Sequence, residues 1–378
     1  MLEPRDAQDL RQLVADAAGG GGKLELVGGG TRRGFGAPRE ASPVSLAAIA
    51  GVVDYDPAEL VLTVRPGTPL ADVEELVAGE GQMLAFEPWG KSGATIGGAV
   101  AAGVAGSRRV TAGSARDHLL GFSAISGRGE AFVAGAKVVK NVTGYDLPKL
   151  MAGSWGRLGA MTELTLKVLP APRLTVTLAA TGLSPAAAHA AMACALGSNA
   201  EVSAAAHLRR GITLLRVAGF APSVEARCLA LPGLLGSHCT LRRMDKAEAD
   251  PLWREAMSGE ALAGGVRWQV HLPPRQAPAL VERLAPLGAD WAMDWGGGRV
   301  WVALDGHDDQ VRAEAQRLGG EAALVGAPEA MRAAVPAMHP RATGVVALEQ
   351  RVRRAFDPAG VFASGRFAED AHADQLPA

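Results

Sequence analysis

The chain has 378 residues, of which 48% are hydrophobic, and a formal net charge of −1 at pH 7. This length predicts two or three domains with real cores, and the near-zero charge argues against a nucleic-acid partner. The polar N-terminus is not a secretory signal, and the longest apolar runs are too short to span a membrane. Cys194, Cys228 and Cys239 lack CxxC spacing, so we expect buried, reduced thiols in a cytoplasmic protein.

Glycine divides the chain, since residues 1–160 hold 28 of the 48 glycines. In this half, apolar periodicity predicts a helix over 6–18 and strands over 24–27, 60–64, 119–125, 130–139 and 164–168. A second helix is predicted with Thr68 as N-cap, Pro69 at its first position, and Gly79 and Gly81 at its end. The Pro-Ala-Pro sequence at 170–172 predicts a domain boundary.

The second half has the pattern of a separate α+β unit. Strands are predicted over 173–179, 212–218, 266–272, 291–295 and 300–304, and Ala-rich helices over 184–196, 222–235 and 274–287. The segment DWGGGR at 294–299 is predicted to be a plain hairpin turn. A final helix over 347–356 precedes an irregular tail.

Two glycine-rich segments carry the strongest signs of function. The first, VGGGTRRGFG at 27–36, offers free backbone N–H groups, a hydroxyl and two guanidinium groups, which together suit a pyrophosphate. A flexible surface turn has the same composition, so both interpretations stay open. The segment is not a Rossmann fingerprint, because no GxGxxG opens a long helix, and no GK[ST] follows as in a P-loop.

The second segment, SGATIGGAVAAGVAGSRRVTAGSARD at 92–117, holds six glycines, seven alanines and no aromatic residue. A backbone with so few side chains can lie directly against a large flat ligand and aim N–H groups at its polar atoms. Because the first glycine-rich segment lies one strand and one helix upstream, the pair predicts a long cofactor that is held in two places.

Two further segments complete the pattern, KVVKNVTGYDLPKLMAGS at 137–154 and WGRLGAMTELTLKVL at 155–169. In this order the four segments closely resemble the flavin-binding half of FAD-linked oxidases of the vanillyl-alcohol-oxidase type, which have a PCMH-type FAD domain. The resemblance covers residues 5–172 and returns at GVFASGRF, 360–367. It implies an α+β fold with a two-subdomain FAD-binding domain over 1–172, an α+β cap domain over 173–345, and a C-terminal helix and tail over 346–378 that return to the FAD domain.

The resemblance also implies where FAD binds. The matching positions in the first loop, around the pyrophosphate, are Gly28, Gly29, Gly30, Thr31, Arg32 and Gly34. Those along the pyrophosphate, ribityl chain and ring are Ala94, Thr95, Ile96, Gly97, Gly98, Gly103, Gly106 and Ser107, with Pro88 just upstream. Those that close over the flavin are Lys140, Asn141, Tyr145, Leu158, Gly159 and Met161, with Arg366 from the tail. Since the first loop contains no histidine, FAD is expected to be held without a covalent bond.

Three stretches, FEPWGKSGATIGG, AGSRRVTAGSARDHLLG and KVVKNVTGYDLPKLMAGS, are most similar to the E subunits of bacterial glycolate oxidases. Those subunits accompany a larger FAD-bearing subunit and an iron–sulfur subunit. The similarity implies oxidation of glycolate or another short 2-hydroxy acid within such a complex. Catalytic relatives carry a GDGNxH-type motif and paired cap histidines that hold a metal and the substrate carboxylate, and neither occurs here. No metal site is therefore expected.

The histidines of the second half, His189, His207, His238 and His271, are scattered singly and are each expected to be structural or merely exposed. Two further departures from the family pattern are Arg157 in place of a threonine and Trp155 in place of a glutamate common in catalytic relatives.

Few side chains are candidates for influencing the chemistry of a bound flavin. A cation near the flavin N1–C2=O edge raises its potential, and the candidates are Lys140, Arg108, Arg109 and Arg366, each alternatively a solvated charge. Tyr145 is interpreted either as a hydrogen-bond partner of the ring or substrate or as a packed aromatic residue at a helix start. No catalytic residue is identified.

Two residues, Asp117 and His118, stand at the end of the second glycine-rich segment. Asp117 is expected to fix that segment by accepting N–H bonds rather than to act as a base. His118 leads into an apolar strand, which disfavours a role as a base. The missing substrate motifs favour an electron-relay or assembly role over the main site of substrate oxidation. A self-sufficient 2-hydroxy-acid dehydrogenase and a non-enzymatic scaffold with a vestigial FAD site remain as alternatives.

Overall fold

A computed structural model of the protein describes residues 1–135 and 145–367, so the predicted site residues Lys140 and Asn141 lie outside the described residues. The fold is α+β, as predicted. The helices are Ala7–Gly20 (α1), Leu70–Gly79 (α2), Ile96–Ala101 (α3), Arg109–Ala112 (α4), Ala115–His118 (α5), Leu147–Met151 (α6), Pro185–Leu196 (α7), Ala221–Leu235 (α8), Lys246–Ser258 (α9), Ala277–Leu284 (α10), Asp308–Arg317 (α11), Glu329–Ala334 (α12) and Thr343–Phe356 (α13).

The strands of the glycine-rich half are Leu24–Val27 (β1), Ser42–Ser45 (β2), Val52–Asp56 (β3), Val61–Val64 (β4), Gln82–Met83 (β5), Leu119–Ile125 (β6), Ala131–Gly135 (β7), Ala160–Lys167 (β8) and Leu169–Pro170 (β9). Those of the second half are Leu174–Thr181 (β10), Val202–Leu208 (β11), Ile212–Gly219 (β12), Arg242–Met244 (β13), Arg267–His271 (β14), Asp290–Asp294 (β15), Arg299–Ala303 (β16) and Glu321–Gly326 (β17).

The glycine-rich half contains an antiparallel five-stranded sheet in the order β3-β4-β8-β6-β7 and a parallel pair, β1 with β2. Leu62 and Val64 of β4 and Leu164 of β8 are fully buried, and they belong to the same core as Val73 of α2 and Ile96 of α3. The two glycine-rich segments therefore start at fixed elements, one at the end of β1 and the other around α3.

The second half forms an antiparallel eight-stranded sheet in the order β13-β10-β12-β11-β15-β16-β14-β17. Three of its strands, β11, β13 and β17, were not predicted, nor were the helices α9, α11 and α12 of this half. Strand β11, with the sequence VSAAAHL, is buried at every position, so it lacks the alternation that marks a half-exposed strand. Hairpin β15–β16 brings residues 294–299 to one end of this sheet.

Several local predictions need correction. The N-cap of α2 is Pro69 rather than Thr68, whose hydroxyl instead accepts a bond from the N–H of Gly51 over 2.9 Å and donates to the carbonyl of Arg65. Thr68 thus fixes the preceding turn. Of the three cysteines, all free, only Cys228 is buried, while Cys194 and Cys239 are half-buried.

The described end of the chain lies against the first strand. The N–H of Leu24 in β1 donates to the carbonyl of Val361 over 2.7 Å. Asp357 accepts bonds from the N–H groups of Val361 and Phe362, which holds the turn that follows α13. Arg366 then reaches the Glu25 carboxylate of β1. Within residues 1–135 and 145–367, no helix is long and apolar enough to cross a membrane.

Candidate flavin site

A cavity of about 100 Å³ opens between the two glycine-rich segments. Its walls come from β1 and the loop after it, from α3, from the start of β8 and from the tail. The predicted site residues that line it are Gly28, Gly29, Gly30, Thr31, Arg32, Ala94, Thr95, Gly97, Gly98, Gly159, Met161 and Arg366.

The first loop supplies the hydrogen-bond donors of this cavity. In the part of the chain that the structure describes, the N–H groups of Gly28, Gly29, Gly30 and Thr31 have no acceptor. Four consecutive unpaired N–H groups at a cavity wall are the arrangement that binds a phosphate or pyrophosphate. The segment 96–98 differs, because its N–H groups donate to the carbonyls of Thr68 and Pro66 and to the Thr95 hydroxyl. It therefore supplies a smooth wall rather than donors.

The two segments approach each other so closely that glycine is required. A Cβ atom on Gly29 would lie 1.6 Å from the carbonyl oxygen of Gly93, and one on Gly97 would lie 2.5 Å from Cβ of Pro66. Both distances are far below van der Waals contact. The glycines of the two segments thus hold the cavity walls together as well as exposing backbone.

One carboxylate balances three guanidinium groups at the tail side of this cavity. Glu25 of β1 is 2.8 Å from Arg33, 2.9 Å from Arg39 and 3.2 Å from Arg366. Burial alone would raise the pKa of Glu25, but the bond from Arg33 and the charges of Arg39 and Arg366 outweigh it and lower that pKa. The cluster keeps a net positive charge beside the cavity.

A second cavity of about 510 Å³ adjoins the first, because Thr31, Arg32, Trp89, Ala102 and Trp155 line both. The predicted site residues Gly34 and Gly103 line this second cavity instead of the first. Its far walls come from the eight-stranded sheet, through β14, β16, β17 and the hairpin 294–299.

Aromatic side chains mark the junction of the two cavities. Arg32 lies over the ring of Trp89 at 4.2 Å and donates to the carbonyl of Trp89, and burial lowers the pKa of Arg32 to about 10, so it stays protonated at pH 7. Trp155 has a φ of 57° and stacks on Phe35 with ring centroids 4.5 Å apart. A bulky residue in the left-handed region is strained, and such strain is concentrated at functional sites.

The hairpin at 294–299 is more than the plain turn that its sequence predicted. Asp294 and Arg299 form a buried ion pair of 2.6 Å, in which both side chains are at most 1% exposed. The Ser107 hydroxyl donates to Asp294, the indole of Trp295 donates to the carbonyl of Gly106, and Arg299 donates to the carbonyl of Ala105. Gly106 and Ser107, which were predicted to contact the cofactor, instead attach the second glycine-rich segment to this hairpin.

Comparison with known proteins identifies the family. The profile of an FAD binding domain matches residues 1–135. The chain is 32% identical over 381 aligned positions to glycolate oxidase subunit GlcE of Escherichia coli strain K12, which covers 95% of this chain and 97% of that protein. The chain belongs to the PCMH-type family of FAD-linked oxidases. Its cofactor is FAD.

Other relatives are similar over less of their length. The chain is 36% identical over 158 residues to a D-lactate dehydrogenase of Anaerostipes hadrus, which covers 42% of this chain and 32% of that protein. Among solved structures, p-cresol methylhydroxylase with substrate bound shares the fold with a TM-score of 0.74 at 14% identity, covering 96% of this chain and 87% of that one. Alkyldihydroxyacetonephosphate synthase has a TM-score of 0.66 at the same identity, covering 94% of this chain and 74% of that one.

The first cavity fits FAD on the structure's own geometry. Its unpaired N–H groups suit the pyrophosphate, its second wall is nearly free of side chains, and it continues past Arg32 into a second, larger space. Arg32 and Arg366 add positive charge at its two sides. When bound, FAD supplies the acceptor for a hydride.

The structure places the remaining predicted site residues elsewhere. Pro88, Ile96 and Leu158 line neither cavity. Tyr145 is 91% exposed, so its alternative interpretation as a packed aromatic residue is wrong. Arg108 is not a solvated charge but pairs with Glu87 at 3.1 Å.

The prediction for Asp117 is confirmed, because its carboxylate accepts bonds from both the N–H and the hydroxyl of Ser114. His118 is completely buried, and its two ring nitrogens bond the carbonyls of Lys167 and Ala112. It therefore holds α5 in place. Among the described residues, no group of three or more His, Cys, Asp or Glu side chains could hold a metal ion.

The histidines of the second half have different environments. His207 is buried and bonds the Thr213 hydroxyl, and His189 bonds the carbonyl of Gly296, so both are structural. His271 is an exception, because it lines the second cavity and stacks on Trp295. Sequence reasoning missed His271, Trp89 and Trp295 as cavity residues. The sequence did offer a signal for the two tryptophans. Only seven tryptophans occur in the chain, and Trp89 and Trp295 both stand beside glycine-bearing loops, which could have indicated a cavity.

Proposed function

We propose that the chain is the FAD-binding subunit of a glycolate oxidase complex, which oxidises glycolate or a similar short 2-hydroxy acid to the 2-oxo acid. The observation that carries this proposal is the similarity to glycolate oxidase subunit GlcE along nearly the whole of both chains. The similarity to a D-lactate dehydrogenase is consistent with a 2-hydroxy acid as the substrate class. The proposed partners are a catalytic FAD subunit and an iron–sulfur subunit.

In the proposed reaction, the 2-hydroxy acid loses its hydroxyl proton and a hydride, and the two electrons leave the complex through the iron–sulfur partner. The chain's own residues hold and shield the cofactor. The N–H groups of 28–31 bind the pyrophosphate, and the segment 94–103 separates the flavin from the core. FAD is proposed to be bound non-covalently, because the loop 28–36 offers no histidine. We also propose the division into an FAD domain, a cap domain and a returning segment at residues 172 and 345.

The second cavity favours one alternative, a self-sufficient FAD-dependent 2-hydroxy-acid dehydrogenase. It adjoins the FAD cavity and carries arginine and histidine side chains, so it has the composition of a site for an organic acid. An electron-relay or assembly role requires no such cavity. The two functions make different predictions for the isolated chain.

An absorbance titration on the purified full chain separates them. The subunit function predicts a yellow protein whose flavin band persists with excess glycolate and is bleached only after its partner subunits are added. The self-sufficient function predicts bleaching of the isolated chain by glycolate or D-lactate. A colourless protein that binds no added FAD would overturn both and leave a scaffold role. Release of the flavin by acid precipitation tests the non-covalent binding in the same sample.

A further inference from the structure

The ring of Trp295 is the centre of a cationic cluster in the second cavity. The guanidinium of Arg299 lies 4.1 Å from the ring centroid and that of Arg109 lies 4.6 Å from it, while the imidazole of His271 stacks at 5.3 Å with 13° between the planes. Trp295 has a φ of 56°, in the left-handed region that a bulky residue seldom adopts. The cluster therefore depends on a strained backbone that the surrounding contacts hold in place.

Those contacts come from both halves of the chain. Trp295 donates to the carbonyl of Gly106 over 2.9 Å, and Arg299 donates to the carbonyl of Ala105 over the same distance. Arg109 begins α4, within the second glycine-rich segment, whereas His271 ends β14 of the eight-stranded sheet. The cluster is thus assembled only where the two halves meet.

The charges of the cluster are unequally balanced. Arg299 is neutralised by Asp294 at 2.6 Å. Arg109 makes no ion pair with any residue that the structure describes, and it is exposed along the cavity wall. Including Arg109, six arginine or lysine side chains line the cavity (Arg32, Lys91, Arg109, Arg267, Arg299 and Arg341) against two glutamates (Glu260 and Glu321). An anion that enters this cavity meets an unpaired guanidinium beside an aromatic surface.

His271 supplies a neutral polar group against the same Trp295 ring. Desolvation in the cavity, and then the charges of Arg299 and Arg109, lower the pKa of His271 to about 4, so the ring is uncharged at pH 7. A neutral imidazole has one donor and one acceptor nitrogen. It can accept a bond from a hydroxyl or donate one to a carbonyl oxygen. A guanidinium with a neutral imidazole beside it suits a carboxylate whose neighbouring carbon carries an oxygen atom.

We propose that this chain has its own organic-acid site at Trp295, in which Arg109 binds the carboxylate and His271 contacts the oxygen atom on the adjacent carbon. This site adds a binding site for the substrate to the proposed function. The identity of its natural ligand rests on that proposed function. The missing substrate motifs instead favoured an electron-relay or assembly role over the main site of substrate oxidation. Because Arg109 and His271 come from different halves of the chain, the site forms only when the two halves are in contact.

Calorimetric titration of the purified, FAD-loaded full chain with oxalate tests this site, because oxalate places two oxygen atoms on the carbon next to its first carboxylate. The matched control ligand is oxamide, which has the same shape without charge. Oxalate is expected to bind at least about tenfold more tightly than oxamide, since a guanidinium binds a charged acceptor far better than a neutral one. Equal affinity for the two ligands overturns the proposal, as does tighter binding of inorganic phosphate than of oxalate.

Variants assign the site to its residues. Arg109→Gln is expected to weaken oxalate binding at least about tenfold, and His271→Phe, which preserves a ring against Trp295 but removes both nitrogens, is expected to weaken it several-fold. The matched control is Arg116→Gln, an exposed arginine outside the cavity, which should bind oxalate as the parent does. Arg109→Lys, which keeps the charge but loses the planar two-pronged guanidinium, provides a second test if Arg109→Gln does not fold, and it is expected to bind oxalate more weakly than the parent does. Unchanged oxalate binding in a folded Arg109→Gln variant overturns the proposal.

The test of the anion site and the test of the proposed function can fail independently of each other. If the assembled complex does not oxidise glycolate but the chain binds oxalate through Arg109, the anion site stands and the assigned activity is wrong. If the complex oxidises glycolate but this chain binds no oxalate, the proposed function stands and the anion site is wrong.

Discussion

The hydroxyl of Ser107 donates to the carboxylate of Asp294 over 2.8 Å, and both side chains are buried although 187 positions separate them in the chain. Ser107 lies in the second glycine-rich segment, part of which lines the flavin cavity, and Asp294 begins the hairpin that carries Trp295. This bond and the ion pair from Asp294 to Arg299 therefore join the cofactor-binding half to the second cavity. Changes at this contact should affect both stability and the geometry of the two cavities.

Asp294→Asn is expected to destabilise the protein by about 3–5 kcal/mol, because it preserves the side chain's shape but leaves the buried charge of Arg299 unpaired. Ser107→Ala removes only one hydrogen bond to a charged acceptor and should cost about 2 kcal/mol. Urea denaturation followed by circular dichroism measures both values. The control is Arg242→Gln, which breaks an exposed pair with Glu248 and should leave the free energy of unfolding nearly unchanged, because solvent screens such a pair. A loss of similar size in Asp294→Asn and Arg242→Gln contradicts the importance of the buried contact.

Gly29→Ala is expected to abolish FAD binding, since its Cβ would overlap the carbonyl oxygen of Gly93 and force the two glycine-rich segments apart. The flavin-to-protein absorbance ratio after purification measures the effect, and a thermal melt separates it from unfolding. Gly79→Ala in α2 is the matched control, because no atom lies within 4 Å of the added methyl group. Normal flavin content in Gly29→Ala would contradict this prediction, because it would show that the two segments can move apart without loss of FAD binding.

The glycine-rich half was largely predictable because its signals are local. Glycine, proline and short apolar runs predicted β1, β4 and α2, although the cap of α2 was wrong because the Thr68 hydroxyl bonds Gly51, which is distant in sequence. In the second half, β11 gave no alternation because the sheet and its helices bury both of its faces. The partners of Arg109 and His271 depend on strand pairing and on contact between the halves. Nothing local to either residue could reveal them.

Asp357→Ala is expected to free the tail from β1, because it removes the acceptor of the buried N–H groups of Val361 and Phe362. Two unsatisfied donors should destabilise the protein by about 2–4 kcal/mol. Limited proteolysis should then cut the chain after α13 earlier than in the parent, and mass spectrometry locates the cut. Asp305→Ala, which removes an acceptor at an exposed loop, is the control and should leave the tail protected. Equal cleavage rates in the parent and in Asp357→Ala contradict the anchoring role.

His207 should make the protein less stable as the pH falls from about 6.5 to about 4. Burial lowers the pKa of His207 to about 4 from its ordinary 6.5, so in this range the unfolded chain binds a proton that the folded chain does not. The neutral His207 ring contributes about 3 kcal/mol to the free energy of unfolding. This contribution is fully present above pH 6.5 and is lost as the pH falls to about 4. His207→Asn, which can still bond the Thr213 hydroxyl, should show a correspondingly flatter dependence of unfolding free energy on pH. The control is His238→Asn at an exposed position, which should follow the parent. Parallel pH profiles for the parent and His207→Asn would mean that His207 is protonated in the folded protein.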